Sequence, residues 1–173
     1  VPDMEYMVTD SPNPRGELLL RGKSRFREYY RNPEETAKAI IDDGWFRTGD
    51  EGGMDSEGYL TLLSRIKEII NRSGEKISPQ EIDDVLLSHP AVAEAVAFSV
   101  PNPVHGEEPS AAVVLRSSVT QTELVRFCRD FLADFKCPRV IHIVDEIPRT
   151  ATGKVQRRIV AEAIVDKLSG APQ

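Results

Sequence analysis

The stretch from Ser64 to Leu87 constrains the fold more tightly than any other part of the chain. Arg65-Ile66-Lys67 sets two cations around one apolar residue, Ile69 and Ile70 make a short apolar strand, Gly74 marks a turn, and Lys76-Ile77 makes a second strand. Ser78-Pro79-Gln80-Glu81 then starts a helix. It supplies a capping hydroxyl, a proline at the first helical position, where no N–H is needed, and a glutamate able to bond back to the cap. A pivot, a tight turn and an anchored helix therefore follow one another with no room for a linker.

The rest of the chain falls on either side of this stretch. Downstream, the pattern predicts a helix from Pro79 to Ser88, a strand from Val92 to Val100, a loop holding Pro101, Pro103 and Gly106, and a strand from Ser110 to Leu115. A capping box, Thr120-Gln121-Thr122-Glu123, opens a helix whose Leu124, Phe127, Phe131 and Leu132 are spaced for one buried face, and Pro138 stops it. A strand from Val140 to Val144 follows. The last helix runs from about Lys154 to Leu168 with Val155, Ile159, Ala163 and Ile164 on one stripe. Upstream, Ser11-Pro12-Asn13-Pro14 and Arg15-Gly16 mark a turn before a strand from Glu17 to Arg21. Asn32-Pro33-Glu34-Glu35 caps a helix that Gly44-Trp45-Phe46 ends, and Asp55-Ser56-Glu57-Gly58 turns into a strand from Tyr59 to Leu63. The expected class is α+β: a small βαββαβα domain over residues 66–173, preceded by residues 1–65, the β-rich trailing edge of a larger N-terminal domain, whose core here is thin.

The totals narrow the function. Hydrophobic residues at 40% and charged residues at 29% describe a globular protein, and no apolar run is long enough to cross a bilayer. A net charge of -6 argues against a nucleic-acid partner. Arg149, Lys154, Arg157 and Arg158 nevertheless form a local basic cluster. Cys128 and Cys137 have no metal-site spacing and read as reduced packing residues, which suits a cytoplasmic setting. His89, His105 and His142 are scattered, and none is assigned a role. The chain begins at Val1 without a signal segment, and is expected to be a portion of something longer.

With Thr48-Gly49-Asp50 upstream and Thr152-Gly153-Lys154 downstream, the pivot stretch resembles the adenylate-forming superfamily: acyl- and aryl-CoA ligases, luciferases and peptide-synthetase adenylation domains. The resemblance covers nearly the whole chain. It implies ATP-dependent activation of a carboxylate to an acyl-adenylate, with magnesium, and then transfer to the thiol of CoA. On the family's motifs Asp50 accepts the two ribose hydroxyls of the nucleotide, a task suited to two acceptor oxygens that carry no donors. Arg65 also reaches the ribose, although by itself it would be a surface cation paired with an acid such as Glu68. Leu62 lies beside the nucleoside, or is plain core. Lys67 falls on the hinge about which the small domain rotates between two working conformations. Asn71 to Ile77, with Gly74 and Lys76, resembles the lining of the pantetheine tunnel, although a hairpin turn requiring positive φ is a second reading of Gly74. Lys136 and Arg139 would meet the CoA phosphates, or are solvated surface.

Lys154, on a flexible glycine-containing loop, matches the family lysine that bridges substrate carboxylate and α-phosphate during adenylation. Two anions are brought together in that step and charge builds on phosphorus, so a mobile point cation fits the task. The chain contains no Gly/Ser/Thr-rich phosphate loop followed by lysine and none of the family's acidic magnesium motif. The carboxylate pocket and the magnesium ligands are therefore expected in a large N-terminal domain, and this segment is not expected to be active by itself. Residues 69–79 and 85–92 look most like the branch with oxalate–CoA and short or medium fatty acyl-CoA ligases. Tyr29-Tyr30 after Arg27-Glu28 departs from the glycine that precedes tyrosine in many members. Two other readings stay open: an adenylation domain loading a carrier protein, and a detached, non-enzymatic binding module.

Overall fold

The computed structural model describes residues 3–9 and 15–169, with side chains to residue 164. The turn expected at Ser11-Pro12-Asn13-Pro14 lies outside the described residues. The chain divides into two compact units, residues 1–67 and 68–173, and the division falls inside a single 3-10 turn, Ile66–Glu68.

The first unit is a four-stranded antiparallel meander of β1 (Met4–Val8), β2 (Arg15–Gly22), β3 (Phe46–Met54) and β4 (Leu60–Arg65), in that order. Leu18 and Leu19 on β2 supply its buried apolar side chains, so its core is thin. The helix α1 (Pro33–Ala39) starts as its sequence dictates: Asn32 Oδ1 accepts from Glu35 N, Pro33 sits in the first turn, and Glu34 and Glu35 face the positive end of the dipole. It stops well before Gly44, however. Ile40 leaves the helix in an extended conformation and bridges to Phe46, while Asp42–Gly44 forms a separate 3-10 turn with Asp43 at φ 57°. Asp55 closes the β3–β4 turn, its Oδ1 accepting from Glu57 N and Tyr59 N.

The second unit is built on a sheet ordered β6-β5-β8-β7, with β9 parallel to β8. Its opening hairpin joins β5 (Ile70–Arg72) to β6 (Glu75–Ile77) through Ser73 and Gly74, both with positive φ (51° and 92°). Two central residues of that kind make the mirror-image turn whose twist matches the strands, and glycine adopts it without strain. The helix α2 (Pro79–Ser88) follows, then β7 (Val92–Asn102) and β8 (Gly106–Leu115), paired along nearly their whole length. These strands are longer than expected, and Pro101 is inside β7 rather than in a loop. β7 is an edge strand, where a missing N–H need not break the ladder. The helix α3 (Gln121–Phe131), β9 (Ile141–Ile143) and α4 (Arg157–Ser169) complete an α+β domain of the expected class.

Alternation along the strands divides its core in two. Ala95, Ala97, Ala111 and Val113 face Ile82 and Leu86 of α2 and Leu124 and Cys128 of α3, together with Ile70, Ile77 and Ile141. Val96, Phe98 and Ala112 on the other face pack with Val160 and Ile164 of α4. Burial on both faces explains why β7 and β8 read as nearly continuous apolar runs.

Three helical details differ from expectation. The buried stripe of α3 is Leu124 and Cys128, while Phe131 is 64% exposed; Leu132 ends the helix by turning extended into the core, well before Pro138. On α4 the buried pair is Val160 and Ile164, and the helix begins three residues after Lys154. At α2, Ser78 occupies the cap without a capping side-chain hydrogen bond, and Glu81 is held by Lys136 instead (Nζ to Oε1 2.7 Å, to Oε2 2.8 Å).

Candidate active-site residues

In the first unit the residues around Thr48 are fixed from β2. Thr48 Oγ1 donates to Leu18 O (2.8 Å) and accepts from Asp50 N (3.0 Å), so the hydroxyl holds β3 to β2 where the register between them shifts. Glu17 Oε1 accepts from Gly49 N (3.2 Å), and its Oε2 accepts from Arg47 Nε and Nη2 (2.9 and 2.6 Å). Gly49 has φ 71°, a conformation that strains other residues. Asp50 is thereby presented on β3 opposite Arg65 of β4. Arg65 Nε is 2.9 Å from Asp50 Oδ1, and Arg65 Nη1 donates to Thr48 O (3.0 Å). The acid that Arg65 meets is thus Asp50, not Glu68. A cleft of about 410 Å3 opens beside this part of β3, lined by Tyr29, Lys38, Thr48, Gly49, Arg65 and Lys67 among others. Leu62 is 62% exposed on β4, so it is not core within this unit. Lys67 is exposed and is the last residue of the unit.

In the second unit Lys154 is exposed at the end of a loop that is tied to itself. Thr150 N donates to Lys154 O (2.9 Å), Gly153 N to Thr150 O (2.8 Å), and Lys154 N to Thr150 Oγ1 (3.1 Å). Gly153 turns the chain at φ 79°, and Arg149 pairs with Val155 in a short bridge below it. Two backbone hydrogen bonds, the bond from the Lys154 amide to the Thr150 hydroxyl and the Arg149–Val155 bridge close the loop. Among the described residues no hydrogen bond or ion pair engages the Lys154 ammonium.

The basic cluster also resolves differently from its sequence. Arg158 pairs with Glu162 one turn on, while Arg157 points inward, its side chain 17% exposed. Its Nη1 lies 2.7 Å from Asp83 Oδ2 and donates to Ala97 O (2.9 Å), and its Nε donates to Glu68 Oε2 (2.9 Å). Asp83 is buried and also accepts from Ala97 N. Burial pushes its carboxyl up to about 6, against the opposing pull of Arg157 and the Ala97 amide. Sequence reasoning missed Asp83 and the inward role of Arg157. A signal was present, since a cation at the first residue of a helix faces the unfavourable end of the dipole and calls for an acid from elsewhere.

Gly74 and Lys76 are exposed on the β5–β6 hairpin, where Asn71 Oδ1 accepts from Gly74 N (3.0 Å) and Ser73 Oγ lies 2.8 Å from His105 Nδ1. The Lys136 ammonium is committed to Glu81, as above. Arg139 shares the buried carboxylate Glu108 with Arg72: Arg139 Nε and Arg72 Nε lie 3.1 and 2.9 Å from Glu108 Oε1, and Asn102 Nδ2 donates to Oε2 (3.0 Å). Both cations proposed for a nucleotide phosphate thus have carboxylate partners inside the unit. Among the described residues no group of three or more His, Cys, Asp or Glu side chains is arranged to hold a metal ion, and no helix is long and apolar enough to cross a membrane.

Residues 81–154 match the family model of the AMP-binding enzyme C-terminal domain. The chain is 52% identical over 162 residues to the probable CoA ligase CCL9 of Humulus lupulus, covering 92% of this chain and 31% of that protein. It is 50% identical over 158 residues to the oxalate–CoA ligase of Arabidopsis thaliana, covering 90% of this chain and 30% of that enzyme. The structure superposes on O-succinylbenzoate coenzyme A synthetase of Bacillus subtilis in complex with ATP and magnesium ion, with a TM-score of 0.85 at 33% identity, over 93% of this chain and 34% of that one. The chain therefore spans about a third of the length of the proteins it matches.

Proposed function

We infer, from a chain that belongs to the adenylate-forming enzymes through their C-terminal domain, that the whole protein is an ATP-dependent carboxylate–CoA ligase. The observation that carries this reading is the 50% identity to an oxalate–CoA ligase along 90% of the chain. In the proposed reaction the substrate carboxylate attacks the α-phosphate of ATP, giving acyl-adenylate and pyrophosphate. The CoA thiolate then attacks the acyl carbonyl and AMP leaves.

Each residue has a task in this scheme. Asp50 has one oxygen on Arg65 and accepts the ribose hydroxyls, with Arg65 fixing its orientation. Leu62, exposed on the same strand as Arg65, offers an apolar surface to the nucleoside. Lys154 supplies the cation that joins carboxylate and α-phosphate, and its exposed, self-tied loop supports that role. Lys67, at the junction of the two units, is the hinge that lets the same segment serve both half-reactions. Gly74 and Lys76 line the approach of the pantetheine arm. Lys136 and Arg139 are the cations proposed for the CoA phosphates: Lys136 would have to leave Glu81 to serve there, whereas Arg139, 56% exposed, shares the single carboxylate of Glu108 with Arg72, so that this group of three keeps a net positive charge. Magnesium bound with ATP is assigned to ligands outside this segment, as is the carboxylate pocket.

The test is carboxylate-dependent exchange of pyrophosphate into ATP by the full-length protein, with oxalate and short and medium fatty acids as the panel, followed by thioester formation on CoA. Exchange with at least one acid and consumption of free CoA are expected. Absence of exchange with every acid would refute the ligase reading. Transfer to a phosphopantetheinyl carrier but not to CoA would replace it with the carrier-loading alternative.

A further inference from the structure

Two arginines fasten the Lys154 loop to one strand. Before the loop, Arg149 pairs with Glu94 of β7, and its Nη1 donates to Gly153 O (3.4 Å). After the loop, Arg157 bonds Ala97 O, three residues further along β7. The two contacts are unequal. The Arg149–Glu94 pair is half-exposed on both sides, in the range where ion pairs contribute little. Arg157 is largely buried and distributes its donors over three segments, Glu68 at the start of the unit, Gln80 (3.3 Å) and Asp83 of α2, and Ala97 of β7, which it thereby joins to α4, from which it projects. Only a planar guanidinium presents donors in so many fixed directions; a lysine ammonium in the same place could not reach all of them.

We propose that Arg157 is a positioning residue for adenylation: it locks the Lys154 loop, three residues away, to the segment at Glu68 where the chain enters the second unit, so that loop and entry segment move as one piece. The proposal rests on the ligase reading above. Its physical content is that Lys154 has no side-chain anchor among the described residues, so its aim depends on where its backbone is held. The end of the loop is held by the first turn of α4, and that turn is held by Arg157. Rotation about Lys67 delivers the ammonium to a fixed place only if the connection from Glu68 to Lys154 is stiff. Asp83, buried under the guanidinium and bonded to the Ala97 amide, supplies that stiffness from α2.

The experiment uses the full-length protein with Arg157→Gln and Arg157→Lys, and measures the two half-reactions separately. A misaimed cation is expected to lower kcat for adenylation by about tenfold to a hundredfold, with the KM for ATP little changed. Thioester formation from preformed acyl-adenylate and CoA should stay within roughly threefold of the wild-type rate, because Lys154 has no task in that step. Arg157→Lys, which restores charge but not the fork, should recover little. Equal loss in both half-reactions, or full recovery with lysine, would overturn the proposal in favour of a merely structural arginine. Hydrogen exchange gives a second readout that does not need activity: the Gly153 and Lys154 amides should exchange faster in Arg157→Gln while those of Ala111 to Val113 do not. Unchanged exchange in the loop also overturns the proposal. If the wild-type protein makes no adenylate, the ligase reading fails, and this exchange experiment still decides the tether.

Discussion

Arg65 faces Asp50 directly across β3 and β4, its Nε 2.9 Å from Asp50 Oδ1, while the same guanidinium holds the carbonyl of Thr48. The two residues proposed for the ribose are thus already a pair, and the arginine steers the carboxylate as well as neutralising it. Arg65 is 60% exposed, so the pair contributes little to stability.

This separation of roles makes a prediction for Asp50→Ala in the full-length protein. Its melting temperature should stay near the wild-type value, because only a solvated ion pair is lost. The KM for ATP should rise by about tenfold to a hundredfold, the loss expected for hydrogen bonds to a charged acceptor. Steady-state kinetics against ATP concentration is the check, and an unchanged KM would remove Asp50 from the nucleotide site.

A second prediction concerns the thiols. Cys128 is fully buried, and burial pushes its thiol up to about 12; burial raises Cys137 as well. Neither should be alkylated by iodoacetamide in the native protein at about pH 8, where both stay protonated and covered. Both should react in urea. Cys128→Ser should cost about 1–3 kcal/mol, since it places a hydroxyl among Leu124, Leu86 and Ile82. Rapid native labelling of Cys128, read by mass spectrometry, would contradict the packing described.

Asp83 gives a pH dependence with a definite sign. Its folded carboxyl titrates at about 6, above the ordinary 3.8, so the folded protein holds that proton more tightly than the unfolded chain. The stability this contributes is full below the unfolded value and is lost as pH rises through about 6. Compared with Asp83→Asn, which does not titrate, the wild-type protein should therefore lose about 2 kcal/mol of relative stability between about pH 4.5 and pH 7.5. Urea unfolding of both proteins at the two pH values measures the difference. A constant difference would mean that Asp83 titrates normally.

The parts of this structure legible in the sequence are those set by local chemistry. Asn32-Pro33-Glu34-Glu35 and Thr120 to Glu123 name their own helix starts, because cap, proline and acid act within one turn. The hairpin at Ser73-Gly74 is legible for the same reason, and β7 and β8 are legible as apolar runs. What escaped was decided at a distance. α1 ends early because Ile40 finds Phe46, α3 ends early because Leu132 turns into the core, and Glu81 leaves its cap for Lys136, which is 55 residues away. Lys154 was legible only as part of a motif. Arg157, three residues further on, looked like one more surface cation until Asp83, Ala97 and Glu68 were placed around it.

The last prediction is that Lys154 serves adenylation and not thioester formation. Adenylation joins a carboxylate to a polyphosphate and builds charge on phosphorus, and a cation aimed at that point lowers the barrier selectively. Attack of the thiolate on the acyl carbonyl expels AMP and needs no cation between two joined anions. The structure supplies a lysine that is exposed and without an ion pair among the described residues, on a turn closed through Thr150. Because the side chain supports nothing, its removal should leave the melting temperature unchanged. In the full-length protein Lys154→Ala should slow carboxylate-dependent pyrophosphate exchange by at least roughly a hundredfold, the loss typical of one preorganised donor. The same variant, given preformed acyl-adenylate and CoA, should make thioester at close to the wild-type rate. Acetylating the amine removes the cation and should reproduce the first effect. Equal loss of both reactions would make Lys154 a structural residue, and normal rates in both would end its role in the chemistry.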